Sequence, residues 1–213
     1  MKRTFFIASI VALSALSASA QDSNTEYSAA DLLAEKTYRF KPTHNTISFY
    51  YVTGKITSDV YVGDSKKAIH PSLKGNGIAY EHLFGGVNGQ HGFRITGAYG
   101  YGGNDAPIGF TLDYIGAAYV YNYTTTLGFV WSLSAGMGWS LNVDDAQVKR
   151  RNEGFGAVLG VGCDYKILRW LGVGAEIRYR TDRFPAPESV KLKDNESFGY
   201  KHISLLIGPR FYF

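Results

Sequence analysis

The segment LGFVWSLSAGMGWSL, residues 127–141, alternates strictly between large apolar and small side chains. One face carries Leu127, Phe129, Trp131, Leu133, Ala135, Met137, Trp139 and Leu141, and the other carries Gly128, Val130, Ser132, Ser134, Gly136, Gly138 and Ser140. A period of two residues is typical of a β-strand, and this one is far longer than the roughly 5–6 residues of an ordinary strand. The crowded and bare faces predict a strand of a narrow barrel with its bare face inward.

The same pattern recurs in GFGAVLGVGCDYK, in LGVGAEIRYR and in the last strand, which ends on Phe213. In each segment the less apolar face combines glycine with charges of both signs. A sheet face turned to bulk water has no need of so many glycines, whereas a crowded barrel interior does. These segments therefore strengthen the prediction of a barrel over that of a soluble sandwich.

Eight antiparallel strands are predicted in all. They span residues 44–56, 73–85, 91–102, 108–122, 125–141, 153–166, 170–181 and 198–213. The alternation of the fourth strand changes phase near Ile115, which predicts a β-bulge there. The fold class predicted is all-β, an eight-stranded antiparallel up-and-down transmembrane β-barrel.

The connections between predicted strands alternate in length. Those after the first, fifth and seventh strands are long, namely TSDVYVGDSKKAIHPS, NVDDAQVKRRNE and DRFPAPESVKLKDNES. GGNDAP after the third is intermediate, and the remaining three are short. Outer-membrane barrels show this asymmetry between extracellular loops and periplasmic turns. Lys149, Arg150 and Arg151 form a basic run in the connection after the fifth strand. A solvated loop is the simpler interpretation, and contact with lipopolysaccharide phosphates or a host anion is the alternative.

The N-terminus has the three parts of a signal peptide. Lys2 and Arg3 precede a short apolar run, and SASA leads to a cleavage site between Ala20 and Gln21. We therefore expect a signal peptide over residues 1–20, a periplasmic N-terminal leader over 21–43 and the outer-membrane barrel over 44–213. Without Lys2 and Arg3 the net charge falls from +4 to +2, which gives no reason to expect a nucleic-acid partner. The single cysteine, Cys163, allows no intrachain disulfide.

The chain ends in GPRFYF, which resembles the C-terminal signal of bacterial outer-membrane proteins. Gly208, Phe211 and Phe213 match the places of that signal. With the strand pattern, the chain resembles the small eight-stranded barrels of the OmpA/OmpX kind. This resemblance implies a monomer in the outer membrane of a Gram-negative bacterium, surrounded by membrane lipid and lipopolysaccharide and inserted by the barrel-assembly machinery.

Two sets of residues are assigned to the two faces of the barrel wall, one facing the lumen and one facing the membrane. A charge network in the lumen is predicted from Glu81, Arg94, Asp113, Asp164, Lys166, Glu176, Arg178, Arg180 and Arg210, because buried charges need partners. Aromatic residues at the two membrane interfaces are predicted at Tyr99, Tyr101, Trp131, Trp139, Tyr165 and Trp170. Trp131 and Trp139, eight residues apart, would lie near opposite interfaces.

Few residues of the sequence suggest a catalytic or metal site. His202-x-Ser204 resembles the His-x-Ser pair of the lipid A deacylase barrels, but the register set by Phe213 turns both residues inward. The family's downstream glutamate has no counterpart, and no constellation of the palmitoyl-transferring barrels is found. We expect no enzyme, cofactor or metal site, and a structural or surface-interaction role through the loops. The alternatives are a narrow channel for small solutes and, third, a lipid A-modifying enzyme.

Overall fold

The structure, a computed structural model, describes residues 40–62, 65–87, 89–103, 105, 110–144, 150–186 and 198–213. Ten strands run through these residues. In chain order they are β1 (Asn45–Ile56), β2 (Val60–Val62), β3 (Ser65–Lys67), β4 (Ser72–Gly86), β5 (Gly89–Gly102), β6 (Thr111–Thr124), β7 (Phe129–Asp144), β8 (Arg150–Lys166), β9 (Leu171–Arg183) and β10 (Gly199–Tyr212).

Eight of the strands close into one barrel. Their order around it is β1-β10-β9-β8-β7-β6-β5-β4, and every neighbouring pair is antiparallel. The short strands β2 and β3 pair only with each other, in the connection between β1 and β4. The predicted eight-stranded antiparallel up-and-down barrel is thus confirmed.

Strand pairing fixes the width and tilt of the barrel. A path that starts at Thr46 of β1 and moves to the paired residue of each successive strand returns to β1 at Ile56. This residue lies ten positions further along the strand than Thr46. The partners on the way are Glu81, Arg94, Ala118, Gly136, Val158, Arg180 and His202. This shear of ten, with strands 4.7–4.9 Å apart, corresponds to a tilt of about 40°. An eight-stranded barrel of this kind is just wide enough to be filled by side chains.

The predicted phase change in β6 is wrong. This strand pairs with β7 in one register from Thr111 to Thr124, without a bulge. Leu112 and Tyr114 are buried inside the barrel, on the same face as Val120. They look like lipid-facing residues in the sequence because they are large and apolar, but they point into the barrel interior near one of its mouths.

The connections between barrel strands are two to four residues long at one end of the barrel and five to fifteen residues long at the other. Residues 87–88, 125–128 and 167–170 form the short-turn end, and 57–71, 103–110, 145–149 and 184–198 join strands at the long-connection end. The fifth predicted connection is shorter than expected, because β7 extends to Asp144 and β8 begins at Arg150. Arg150 and Arg151 are therefore strand residues, and Lys149 lies outside the described residues.

The outer surface of the barrel is apolar. Large side chains that are more than two-fifths exposed include Phe49, Tyr119, Leu133, Met137, Phe155, Leu159 and Ile177. The interior holds most of the buried charged groups instead. This distribution inverts that of a water-soluble domain and suits a lipid environment.

A search of the described residues for helices long and apolar enough to cross a membrane finds none.

Candidate functional site

The centre of the barrel interior holds a network of six charged side chains. Arg94 lies 2.8 Å from Glu81 and 2.7 Å from Glu176. Arg210 lies 2.8 Å from Asp164 and 3.3 Å from Glu81, and the sixth member, Arg178, lies 2.9 Å from Glu176. All six are at most 7% exposed. Three positive and three negative groups compensate one another, as burial of charge requires.

The bare inner faces of β7 and β8 make room for this network. Arg94 reaches across the lumen and donates a hydrogen bond to Ser134 Oγ of β7, at 3.4 Å. A Cβ atom at Gly160 of β8 would meet the Glu176 carboxylate and lie 2.5 Å from Ser134 Oγ. Large side chains from one half of the barrel therefore fill the space that glycine and serine leave on the other half.

A second charged cluster lies nearer the long-connection end. Arg180 contacts Asp182 at 3.0 Å, and Ser140 donates a short hydrogen bond to the same carboxylate. Asp182 is not among the predicted lumen charges, because the seventh strand is predicted to end at residue 181, whereas β9 extends to Arg183. Its alternation with Glu176, Arg178 and Arg180 was the available signal.

His202, Ser204 and Asp182 are arranged in the order of a catalytic triad. His202 Nδ1 lies 3.0 Å from Ser204 Oγ, and its Nε2 lies 3.5 Å from Asp182 Oδ2. All three are at most 3% exposed. Ser204 is paired with Gly54 of β1 in the barrel wall, and its side chain is buried in the filled interior. The arrangement therefore offers a substrate no access to the hydroxyl.

An apolar cluster lies at the long-connection mouth. Its members, all at most 6% exposed, are Ile56, Val60, Leu73, Phe110, Leu112, Phe184, Phe198 and Tyr200. Phe110 and Tyr200 pack edge to face, with ring centroids 5.5 Å apart. We call this cluster the apolar lid. It separates the charged interior from the connections on that side.

Residues 40–43 cross the short-turn mouth. The chain passes from the turn between β6 and β7, where Phe40 packs on Gly128, to the start of β1 on the opposite side of the ring. Gly128 has a φ of +89°, and a Cβ atom there would lie 2.9 Å from the Phe40 ring. Glycine thus permits both the turn and the close approach of Phe40.

Two interior side chains hold this crossing segment, which we call the floor. Lys166 Nζ donates hydrogen bonds to the carbonyl of Lys41 at 3.2 Å and to Thr43 Oγ1 at 3.3 Å. Gln90 Nε2 donates to the carbonyl of Thr43 at 3.2 Å. Lys166, predicted as a lumen charge, therefore contacts the end of the predicted leader rather than an acidic partner. The rest of that leader, the signal peptide and the Ala20–Gln21 cleavage site lie outside the described residues.

Eight of the nine predicted lumen charges point into the interior, and the structure brings six of them together. Lys166 lies at the floor and Arg180 in the second cluster. Asp113 is the exception, because the single register of β6 places it on the outer face, between the inward Leu112 and Tyr114. The prediction for Asp113 is wrong for the same reason as the predicted phase change.

The six predicted aromatic residues all lie on the outer face. Tyr99, Tyr101 and Trp139 are near the long-connection end, and Trp131, Tyr165 and Trp170 are near the short-turn end. Their contact with membrane interfaces stays a prediction.

The terminal motif closes the barrel seam. Phe211 and Phe213 face outward, and Phe213 exchanges two backbone hydrogen bonds of 3.0 Å with Asn45. Gly208 brings the β10 backbone close to the Phe49 carbonyl of β1. Recognition of this motif by the barrel-assembly machinery stays a prediction.

Comparison with known proteins addresses the fold. No protein-family model matches the chain, and no curated protein matches it significantly. Among solved structures, the chain is similar to Neisserial surface protein A (NspA), with a TM-score of 0.60 and 16% identity over 79% of this chain and 97% of that one. Ail, the attachment invasion locus protein of Yersinia pestis, gives a TM-score of 0.48 at 14% identity over 80% of this chain and 99% of that one.

The N-terminal β-barrel domain of Pseudomonas aeruginosa OprF gives a TM-score of 0.45 at 16% identity, over 80% of this chain and 100% of that one. At these identities the likeness concerns the fold alone, and the match to NspA carries it. The chain therefore has the fold of the small eight-stranded β-barrels of outer membranes, as its resemblance to the OmpA/OmpX kind predicts.

Proposed function

We propose that the protein is an integral outer-membrane barrel of a Gram-negative bacterium, non-enzymatic, with a structural or surface-interaction role at its long-connection end. The observation that carries this proposal is that side chains or backbone of the described residues occupy the interior at three levels. The apolar lid, the central charge network and the floor lie one below another along the barrel axis. We infer that an interior filled in this way is sealed, which leaves the outer wall and the connections as the surfaces available to partners.

Hydrogen bonds give the long-connection end a defined shape. Asp105 accepts hydrogen bonds from the backbone N–H of Ser72 at 2.9 Å and from its hydroxyl at 2.6 Å, which lower the pKa of the carboxyl. The backbone N–H of Lys201 donates to Ser58 Oγ at 3.0 Å, and the N–H of Thr57 donates to the carbonyl of Lys201 at 2.7 Å. These bonds tie different connections and strands together, which supports a surface that presents fixed groups to a partner.

The proposed outer-membrane location implies which molecules the barrel contacts. We propose that the barrel is monomeric, surrounded by membrane lipid and lipopolysaccharide, and that the barrel-assembly machinery recognises Gly208, Phe211 and Phe213. The large apolar outer face supports the first part. The outward placement of both phenylalanines on the seam strand supports the second. A ligand of the connections has no chemical signature in the described residues.

Conductance across a planar bilayer tests the proposal. The refolded protein is first checked by the different gel mobility of boiled and unboiled samples, and is then added to the bilayer. We expect no stable conductance steps, because groups of the described residues occupy the lumen at all three levels. A general porin added afterwards to the same bilayer shows that a channel would have been detected. Reproducible steps from the folded protein alone would refute the sealed interior.

A narrow channel is the second candidate, and one observation favours it. The hydroxyls of Tyr50 and Tyr114 and Nη2 of Arg180 are buried without a hydrogen-bond partner among the described residues. Buried polar groups are normally satisfied by protein or by water, so parts of the interior are suited to hydration. Conductance that depends on voltage or on a ligand would favour this candidate.

A further inference from the structure

Four basic side chains form a row on the outer wall near the long-connection end. They are Lys74 of β4, Lys55 of β1, Lys201 of β10 and Arg183 of β9, and all four are exposed. The four strands are consecutive around the barrel. We call these residues the basic row. None of them forms an ion pair with a described residue within 4 Å.

Strand register makes neighbours of the members of this row. Lys55 is paired with Ser72, two residues from Lys74, and with Ile203, two residues from Lys201. Lys201 is in turn paired with Thr181, two residues from Arg183. Such diagonal neighbours on one face of a sheet are about 7–8 Å apart, within reach of long side chains. The row is therefore continuous across four strands.

The row also lies at nearly one level of the barrel. A step to the paired residue of the next strand changes the level by slightly more than one residue, because a shear of ten is spread over eight strands. The diagonal step of two residues offsets most of this change, so the four Cα atoms lie within about 6 Å of one another in height. Tyr99, Tyr101 and Trp139 occupy the same level on the other half of the ring.

The level of the row corresponds to a membrane boundary. The aromatic residues near the short-turn end, such as Trp131 and Tyr165, lie about 25 Å lower, from the rise per residue and the tilt of the strands. This distance matches the apolar band of outer-membrane barrels. One half of the upper boundary thus carries an aromatic girdle, and the other half carries four positive charges in its place.

Negative charge is scarce around the row. Within the described residues, the acidic groups of β9 and β4, such as Glu176 and Glu81, point into the lumen. Asp105, bonded to Ser72, adds one negative charge close to Lys55. Glu153 of β8 is diagonal to Arg183 and is paired with Arg151 at 2.7 Å. The row keeps a net positive charge at a depth where lipid headgroups lie.

We propose that the basic row binds the phosphate groups of a diphosphorylated lipid in the outer leaflet, with the acyl chains lying along the apolar wall below. The inference rests on the proposed outer-membrane location and names the lipid chemistry for it. Lysine and arginine donate charge-assisted hydrogen bonds to phosphate, and a lipid supplies both the anion and the apolar part. Chains of the lipid would meet Ile203, Tyr179 and Leu205, which are exposed beside or below the row.

Native mass spectrometry in mild detergent tests this proposal. Diphosphoryl lipid A is titrated into the wild-type protein, into Lys55→Gln/Lys74→Gln/Lys201→Gln, and into the control Lys41→Gln/Lys67→Gln/Arg169→Gln, which loses three exposed positive charges away from the row. Since each basic residue near an anionic lipid surface contributes about one tenfold step or slightly less, we expect the row variant to bind on the order of 100-fold more weakly. The control binds as the wild type does, and lipid A without phosphates binds weakly to all three.

Four results would overturn the proposal. The first is that the row variant binds lipid A as tightly as the wild type does, and the second is that the control loses as much affinity as the row variant. The third is that tripolyphosphate binds the wild type as tightly as lipid A does. The fourth is that folded wild-type protein binds no lipid A. The gel-mobility assay after refolding into phosphatidylcholine vesicles is read separately. Failure to insert there would refute the membrane location itself, whereas insertion without lipid A binding would refute only the role of the basic row.

Discussion

Arg94 stands between the carboxylates of Glu81 and Glu176, at 2.8 and 2.7 Å, in the middle of the barrel. Without it, two buried negative groups would face each other, with Arg210 and Arg178 as the remaining cations of the network. Removing one partner of a buried ion pair costs about 3–5 kcal/mol. We therefore expect Arg94→Leu to lower the free energy of unfolding by about that amount. Urea titration of the protein in lipid vesicles, followed by tryptophan fluorescence, measures it.

An exposed pair provides the control for this substitution. Arg151 and Glu153 lie 2.7 Å apart but are 52% and 43% exposed. Exposed ion pairs contribute about 0–1 kcal/mol, so Arg151→Leu should change the free energy of unfolding by no more than that. If the two variants lose similar free energies of unfolding, burial of the central network adds nothing to the strength of its ion pairs.

At the scale of the element, β8 combines a lipid-facing side and a glycine-rich inner side. A Cβ atom at Gly160 would meet Glu176 and Ser134, whereas Leu159 beside it is 59% exposed on the outer face. Overpacking a filled interior costs about 1–3 kcal/mol. We expect this loss in Gly160→Val and less than about 1 kcal/mol in Leu159→Val, measured by the same urea titration. Equal effects on both faces would contradict a tightly filled lumen.

The strands that the sequence predicts best are those with strict alternation. The last two, predicted over 170–181 and 198–213, lie within two residues of β9 (Leu171–Arg183) and β10 (Gly199–Tyr212). In β6 the prediction failed, because Leu112 and Tyr114 belong to the interior and yet have the size and polarity of lipid-facing residues. Periodicity identifies the two faces of a strand, but where large apolar residues occupy both faces it cannot say which one is inward.

The contacts between charged side chains inside the lumen could not be predicted from the sequence, for a different reason. Glu81 and Arg94 are paired across neighbouring strands, whereas Arg94 and Glu176 meet across the interior. The first contact needs the register, and the second needs the closed barrel and its shear. Lys166 shows the same limit, since its contacts with residues 41 and 43 depend on a segment that crosses the mouth.

For the whole molecule, the proposed sealed interior makes the lid, the network and the floor three barriers in series. A path for ions requires all of them to be open, because one closed level suffices to block the lumen. Opening only the lid, by Phe198→Ala/Tyr200→Ala, should therefore leave the barrel silent in a planar bilayer. The same holds for the floor variant Lys166→Ala/Gln90→Ala, which removes the hydrogen bonds to the crossing segment.

The combined variant decides whether these three levels account for the closure. Its network part consists of Glu81→Ser, Arg94→Ser, Glu176→Ser and Arg210→Ser. These substitutions remove two charges of each sign and leave Asp164 and Arg178 to balance each other. Added to the lid and floor substitutions, this change should give stable conductance steps, provided that gel mobility shows a folded barrel. Conductance from the lid variant alone would mean that water already passes the network and the floor. A folded but silent combined variant would mean that another part of the chain closes the lumen.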